Sequence, residues 1–218
     1  MSTAARASRS TSLFTATTTE GYMLKVIVEL LQNVLTTACF IVSERGIHLR
    51  MMNLKRVVLV DINLAAVGFS NFSYNSFEEE LFVGINLNHL HKLLKNIKKR
   101  AQLTLNIDAA TPSRISFIIA SSSNERIAPT TTSSICIQNI QHLFIPLPSD
   151  TEYVHSVELG ALDYQRTLKD LHNISSTLEI SLGPDTIVFA CDNDTILSRT
   201  IAFGDISKCI YKEVFDID

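Results

Sequence analysis

The chain has 218 residues, and its composition and charge exclude several classes of protein. Hydrophobic residues make up 46% of it and charged residues 19%, which is typical of a folded globular protein and excludes a disordered chain. The longest apolar runs have the length of strands, so we expect no membrane-spanning segment. The formal net charge of −3 excludes a protein coated in basic residues, but it allows a local basic surface for nucleic acid. The cysteines are dispersed without a CxxC pair, so we expect buried free thiols at Cys39, Cys136, Cys191 and Cys209.

The first part of the chain predicts a helix that lies on an antiparallel sheet. Residues 1–12 have the composition of a short disordered tail, and residues 13–18 predict a first strand. From Gly21 onwards apolar residues recur at i, i+3 or i+4, and i+7, which predicts a helix whose polar side carries Lys25, Glu29 and Gln32. Three strands joined by tight turns follow, at residues 38–42, 47–52 and 57–62. A helix packed on such a meander indicates the α+β class.

A second helix, with a basic side, is predicted in the middle of the chain. An exposed connector at 69–80 leads into a strand at 81–85, and Asn86 is a favourable N-cap for the helix that follows. Spacings of i, i+3, i+4 and i+7 predict the buried side of this helix, which consists of Leu90, Leu93, Leu94 and Ile97. The opposite side carries Lys92, Lys95 and Lys99. Further strand patterns follow at residues 102–107, 114–120 and 134–140.

Two prolines mark the boundary between two predicted domains. Pro146 and Pro148 exclude a helix and a central strand, and they favour an extended connector. Beyond them the earlier order returns, with a strand at 153–158 and then a helix at 161–173, which buries Tyr164 and carries Arg166 and Lys169 on its other side. Four strand patterns follow, at residues 178–182, 186–191, 196–203 and 209–214. We therefore expect an internal duplication that consists of a tail at 1–12, a first domain at 13–137, a connector at 138–150 and a partial second domain at 151–218.

A series of weak sequence matches carries a family resemblance. The series comprises Gly21 ahead of Leu24-Lys25, the run Ala38-Cys39-Phe40, Gly46 before Leu49, Met52-Asn53 before Val57, and Gly68-Phe69. With these residues, and an ungapped spacing from Phe14 to Phe69, the chain resembles the eukaryotic-type DNA sliding clamps of the proliferating cell nuclear antigen family. The resemblance implies a DNA-clamp α+β fold of two similar domains, with helices packed on antiparallel sheets. The second domain looks one helix and several strands short, as expected of a truncated product or of an aberrant clamp.

Basic residues on the three predicted helices form the first candidate site. Duplex DNA presents a phosphate every ~1.7 Å along its axis, so a curved lining of cations binds it without reading its bases. The resemblance implies that the inner basic residues of a clamp align with five of these cations, and Lys99 joins them by its spacing. The predicted DNA-binding residues are Lys25, Lys92, Lys95, Lys99, Arg166 and Lys169. Gln32 departs from the family, which usually has a further lysine there. The alternative is that each basic side is only a solvated helix face.

The connector forms the second candidate site. The resemblance implies that the interdomain loop and the pocket beneath it bind short partner motifs with aromatic side chains. The predicted partner-binding residues are Met52, Arg56, Leu143, Ile145 and Pro146. Arg56 stands where the family usually has histidine, and the alternative is that these apolar residues only hold the connector to its domain. The resemblance also implies that edge strands at 134–139 and 196–203 pair between subunits to close a ring.

No catalytic or cofactor-binding pattern accompanies these sites. The seven glycines are dispersed and form no phosphate-binding loop, and no nucleophile elbow or Cys/His zinc spacing occurs. We therefore expect no enzyme, no cofactor and no metal. The leading hypothesis is a polymerase processivity clamp, by family analogy a homotrimeric ring, that encloses duplex DNA and tethers DNA polymerase and repair enzymes in the nucleus or at a viral replication site. The alternatives are a checkpoint-type clamp subunit in a hetero-oligomer and a monomeric polymerase accessory protein.

Overall fold

Antiparallel sheets with short helices packed on them form the chain in the computed structural model. The structure describes residues 12–120, 129–141, 143, 145, 146, 157–193, 197–204 and 211–216. The chain divides into two units, Met1–Pro146 and Leu147–Asp218, each with its own hydrophobic core. The predicted α+β class is confirmed. Within the described residues, no helix is both long enough and apolar enough to cross a membrane.

The described part of unit 1 consists of two helices and two sheets. Its elements are β1 (Ser12–Thr18), α1 (Gly21–Val34), β2 (Thr37–Ser43), β3 (Gly46–Met52), β4 (Leu59–Ala65), a 3₁₀ turn (Ala66–Gly68), β5 (Asn71–Tyr74), β6 (Leu81–Asn86), α2 (Leu87–Leu94), β7 (Gln102–Asp108), β8 (Arg114–Ala120) and β9 (Thr130–Cys136). The first sheet has the order β5-β1-β7-β8-β9 and the second β4-β3-β2-β6. All strand pairs in both sheets are antiparallel.

Alternation along the strands explains how each sheet contributes to the core. Successive side chains of a strand point to opposite faces, so every second residue lies inward. Phe14 and Ala16 of β1 are fully buried, and Leu49 of β3 is buried between His48 and Arg50, which are partly exposed. The inward faces of both sheets, together with α1 and α2, enclose one core.

Helix α2 lies as its sequence predicts. The Asn86 side chain accepts a hydrogen bond from the backbone N–H of His89 at 3.1 Å, which satisfies an amide that has no partner within the helix. Leu90 and Leu94 are buried. The helix ends at Leu94, and Ile97 is buried in the turn beyond it.

Helix α1 buries most of its predicted apolar side and departs from the prediction at two positions. Met23 and Leu30, predicted on the apolar side, are 54% and 65% exposed. The residues predicted on the polar side are Lys25, Glu29 and Gln32, and all three are only partly exposed. The reason is that this flank of α1 lies towards α2. The hydrophobic period alone does not identify the flank that a second helix covers.

Strand boundaries and one cysteine in unit 1 also need correction. Residues 69–80, predicted as a connector, contain β5, which pairs with β1 and extends the first sheet. The strand predicted at 57–62 begins only at Leu59, and the one predicted at 134–140 is β9, which ends at Cys136. Cys136 is exposed because it lies on an edge strand, whereas Cys39 and Cys191 are buried as predicted. Cys209 lies outside the described residues.

Unit 2 repeats the topology of the second sheet of unit 1. Its described elements are α3 (Ala161–His172), β10 (Thr177–Gly183), β11 (Thr186–Asn193), β12 (Leu197–Phe203) and β13 (Tyr211–Asp216). The order β12-β11-β10-β13 matches β4-β3-β2-β6, since each sheet is a three-stranded meander with a fourth strand added beside its first. Each meander also follows a helix, as an internal duplication predicts.

In unit 2, the prediction for Tyr164 is wrong, and the strand predicted at 153–158 falls mostly outside the described residues. Tyr164 is half exposed instead of buried, because Thr167 and Leu171 form the buried side of α3 and the tyrosine ring only meets the Phe189 ring edge-on at 6.1 Å. The strand predicted at 153–158 falls mostly on residues 151–156, which lie outside the described residues, as does Pro148.

The segment after β9 approaches β6 very closely. The backbone N–H of Gln138 donates to the carbonyl of Gly84 at 2.8 Å and forms an isolated bridge. A Cβ at Gly84 would overlap the Gln138 carbonyl oxygen and would lie 2.9 Å from Cγ1 of Ile140. Glycine is therefore required where this segment leaves the first sheet and lies against the edge of the second.

We predict that Gly84→Ala destabilises unit 1 by about 1–3 kcal/mol, because the added methyl group forces the bridge apart. Urea unfolding measures this loss, and hydrogen exchange at the Gln138 amide should become faster. Gly68→Ala is the matched control, since no described atom lies within 4 Å of its Cβ position. Equal stability of the two variants would contradict the close approach.

Candidate functional site

The exposed side of α2 carries the lysines predicted to bind DNA. Lys92 and Lys95 are exposed, because the leucines on the other side of the helix are buried in the core. Within the described residues, neither lysine forms an ion pair with a carboxylate. Both charges are thus available to an anion from outside the unit.

Lys25 and Lys99 meet at the ring of Tyr22. The Nζ atoms lie over this ring, 5.3 Å from its centroid for Lys25 and 5.8 Å for Lys99, within the range of cation–π attraction. Gly21 explains why the elements come together, since a Cβ there would lie 2.9 Å from Cβ of Leu103. The start of α1 therefore packs directly against the chain that follows Lys99.

One acidic residue lies among these cations. Oε1 of Glu29 is 3.6 Å from Nζ of Lys25 on the same helix and 3.6 Å from Nε2 of His91 on α2. The carboxylate joins the two helices, and it also reduces the positive charge that this surface presents. Contacts of this kind between partly exposed groups contribute only about 0.2–1 kcal/mol to stability.

The sequence prediction missed part of the basic surface. Lys98 and Arg100 are exposed in the turn after α2, so that five cations occur in residues 92–100. The uninterrupted Lys98-Lys99-Arg100 run was a usable signal, but a strict helical spacing selects Lys99 alone. Tyr22 carried no such signal, because only the packing of α1 against the chain after α2 brings it to Lys99.

The two basic residues predicted in unit 2 lie on α3. Arg166 and Lys169 are exposed and three residues apart, so they share one side of the helix. A neighbouring carboxylate, Asp170, pairs with Arg199 of β12 at 4.0 Å. The structure thus brings Lys25 and Lys99 together at Tyr22, and it places the remaining predicted cations on the exposed sides of α2 and α3.

The connector is held to the outward face of the second sheet. Nη1 of Arg50 donates to the carbonyl oxygen of Ile145 at 3.3 Å. The same guanidinium donates from Nε and Nη2 to the two carboxylate oxygens of Asp61 at 3.1 and 3.2 Å, and Nε2 of His48 lies 2.8 Å from Oδ1. Hydrogen bonding from Arg50, supported by His48, lowers the pKa of the Asp61 carboxyl. Asp61 therefore orients the arginine that holds the connector.

The turn between β3 and β4 displays an apolar surface beside this anchor. Oδ1 of Asn53 accepts from the backbone amides of Val57 and Val58 at 2.9 and 3.1 Å, and Arg56 has a left-handed φ of 58°. The turn holds Leu54 and Val57 outward, 94% and 74% exposed.

The five residues predicted to bind partners lie in two places. Met52 and Arg56 lie at the end of β3 and in the turn after it, and the other three lie in the connector. Met52 shares a strand face with Arg50, and Leu143 and Pro146 are exposed. Ile145 is partly buried beside Arg50, and Arg56 is exposed in the turn. The sequence prediction missed Leu54 and Val57, although two apolar residues in a turn are a recognisable signal.

Both strands predicted to close a ring lie at sheet edges. β9 is the last strand of the first sheet, and β12 is the first strand of the sheet in unit 2. Most side chains of both strands are exposed. Among the described residues, each strand therefore has one row of backbone groups that its own sheet leaves unpaired.

Comparison with known proteins gives two findings. The family profile described as proliferating cell nuclear antigen, N-terminal domain, matches residues 13–142. A protein named proliferating cell nuclear antigen from Chaetomium thermophilum is 27% identical over 175 residues, which cover 80% of this chain and 64% of the relative. The chain thus spans less than two thirds of the length of this relative.

The Arg50–Asp61 pair gives a prediction on pH. A carboxyl with a lowered pKa stabilises the fold above its unfolded-state pKa of about 3.9, and this contribution is lost as the pH falls below that value. Asp61→Asn should therefore lower the free energy of unfolding by about 0.2–1 kcal/mol at pH 7, and the difference from the parent chain should be lost as the pH falls through the lowered pKa of the folded-state Asp61 carboxyl.

Urea unfolding over a pH series measures the difference. In a double-mutant cycle, Asp61→Asn should cost less stability in an Arg50→Gln background than in the parent chain. A cost that is independent of both pH and Arg50 would exclude the ion pair as its cause.

Proposed function

Because this chain belongs to the proliferating cell nuclear antigen family, we propose that it acts as a DNA sliding clamp, a processivity factor that encloses duplex DNA and tethers replication and repair enzymes. The observation that carries the proposal is the exposed side of α2, whose lysines are free of carboxylate partners within the described residues although the whole chain has a net charge of −3. A charge distribution of this kind indicates an anionic partner for one surface.

The proposed mechanism is electrostatic and topological, and it uses no catalytic residue. Lys92 and Lys95, with Lys25 and Lys99, contact backbone phosphates without reading the bases. Each contact is weak and depends on salt, because it replaces condensed counterions, and a protein held by such contacts can move along DNA. Arg166 and Lys169 on α3 are proposed to serve in the same way.

Ring closure is proposed to use the edge strands β9 and β12 of neighbouring subunits. A head-to-tail contact between two different edges generates a closed ring when its rotation closes. Family membership favours a homotrimer. A checkpoint-type hetero-oligomer and a monomeric polymerase accessory protein are the alternatives, and the oligomeric state of the pure chain separates them.

Partner capture is proposed at the connector. Leu54 and Val57 are exposed in the turn that follows Met52, and Leu143 is exposed in the connector, where Arg50 holds Ile145. Short motifs of DNA polymerase and repair enzymes with an aromatic side chain would gain affinity by burying it there. The proposed place of action is the nucleus or, for a viral protein, a site of viral replication.

We predict that Lys92→Gln/Lys95→Gln weakens binding to duplex DNA and reduces the slope of log K against log salt by about 2, since two phosphate contacts are lost. Glu29→Gln should instead strengthen binding to duplex DNA, because it removes the carboxylate from the same surface. Binding to a linear duplex over a salt series measures both effects, and retention on closed circular DNA tests encirclement.

The control for these variants is Lys55→Gln, which removes an exposed lysine from the turn between β3 and β4. It should leave both affinity and slope unchanged. A gain in affinity on Glu29→Gln cannot result from misfolding. Unchanged binding in both the lysine and the Glu29 variants would exclude this surface as the DNA contact.

We also predict that Leu197→Asp on β12 abolishes self-association, because a buried charge at a strand-pairing interface is costly. Light scattering after size exclusion measures the mass. Leu162→Asp is the matched control, since this exposed leucine lies on α3 and not on the edge strand. If both variants keep the mass of the parent chain, β12 does not close the ring.

A further inference from the structure

Tyr22 holds two cations that belong to different elements. Lys25 lies one turn along α1, whereas Lys99 lies in the turn after α2, and the tyrosine ring contacts both. Lysine side chains in solution sample many rotamers and lose entropy when they bind an anion. A ring that already attracts both ammonium groups reduces this loss.

The charge around Tyr22 exceeds what the fold needs. Cations near the last turn of a helix stabilise its partial negative end, but this effect declines within one turn. α2 ends at Leu94, so Lys98, Lys99 and Arg100 lie four to six residues beyond it. Within the described residues, none of these three forms an ion pair with a carboxylate. Like charges this close repel one another, and an anion from outside relieves the repulsion.

Besides Lys25, the one charged side chain of α1 is Glu29, which pairs with Lys25 and with His91 of α2. Met23 and Leu30 are exposed, and Gln32 is uncharged. Lys25 is the only cation of this helix. Lys25 is thus the one cation that α1 contributes, and Lys99, flanked in sequence by Lys98 and Arg100, meets it at the Tyr22 ring.

We propose that Tyr22, Lys25 and Lys99, the Tyr22 cluster, form a binding point for a backbone phosphate of duplex DNA, with Tyr22 as the residue that positions both lysines. The inference rests on the proposed function and adds to it a location for one phosphate contact in unit 1 and the residue that positions its two lysines. The ring already carries the two ammonium groups, so it serves to hold cations and not to stack on a base. Lys98 and Arg100 add to the positive potential beside it.

The test is a double-mutant cycle with a linear DNA duplex of random sequence as the probe. Lys99→Gln should reduce the salt slope by about 1. Tyr22→Leu should weaken binding about two- to fivefold, as expected for two exposed cation–π contacts, and Tyr22→Phe, which keeps the ring, should restore the affinity. In a Lys25→Gln/Lys99→Gln background, Tyr22→Leu should have no further effect, because nothing remains for the ring to position.

Several results would overturn the inference. One is an equal loss on Tyr22→Leu in both backgrounds, which would indicate a general packing role. Another is an unchanged salt slope on Lys99→Gln, a surface change that does not depend on how well the Tyr22 variants fold. A third is that the parent chain binds single-stranded DNA as tightly as duplex DNA, or more tightly, which would indicate a general anion site.

The Lys92→Gln/Lys95→Gln variant separates this inference from the proposed function. If that variant loses duplex binding while the Tyr22 and Lys99 variants keep it, only the Tyr22 cluster is wrong. If the double lysine variant also binds as the parent chain does, the proposed DNA surface fails with it.

Discussion

Burial of one side of α2 is the constraint on which the basic surface depends. Leu87, Leu90 and Leu94 are buried, and each such side chain contributes about 1.5–3 kcal/mol when it leaves water. An exposed ion pair contributes only about 0.2–1 kcal/mol. Rotating the helix to bring its lysines towards a carboxylate would therefore cost far more than the new pair could return. Apolar packing sets the direction of the charges, and the charges have no comparable influence on the packing.

A glycine at the start of α1 brings this helix close to the chain that follows α2. Because Gly21 has no side chain, the start of α1 can lie against Leu103, and the chain just before β7 then passes beside Tyr22. Glu29 and His91 face each other where the helices run side by side. The meeting of Lys99 with Tyr22 thus follows from a close backbone approach that a glycine permits.

The sequence predicts local features of this fold well and contacts between elements poorly. Asn86 and the leucine spacing define α2, because a cap and a helical period are both encoded within a few residues. β5 was missed, since its strand character comes from pairing with β1, whose residues lie more than fifty positions earlier in the chain. Met23 and Leu30 were placed on the wrong side because a period shows which residues are apolar but not which flank a neighbour covers. For the site, Lys92, Lys95 and Lys99 were found by spacing, whereas the contact of Tyr22 with Lys99 depends on tertiary packing.

The Asn53 turn has a consequence for the entropy of recognition. Two amide hydrogen bonds to one side chain and a left-handed Arg56 fix the backbone that carries Leu54 and Val57 before any ligand arrives. A peptide that covers these side chains meets a preorganised surface, and the ordering cost of the complex falls on the peptide alone. Affinity among competing peptides would then be ranked by their own flexibility, with stiffer or partly folded segments favoured over loose ones of the same composition.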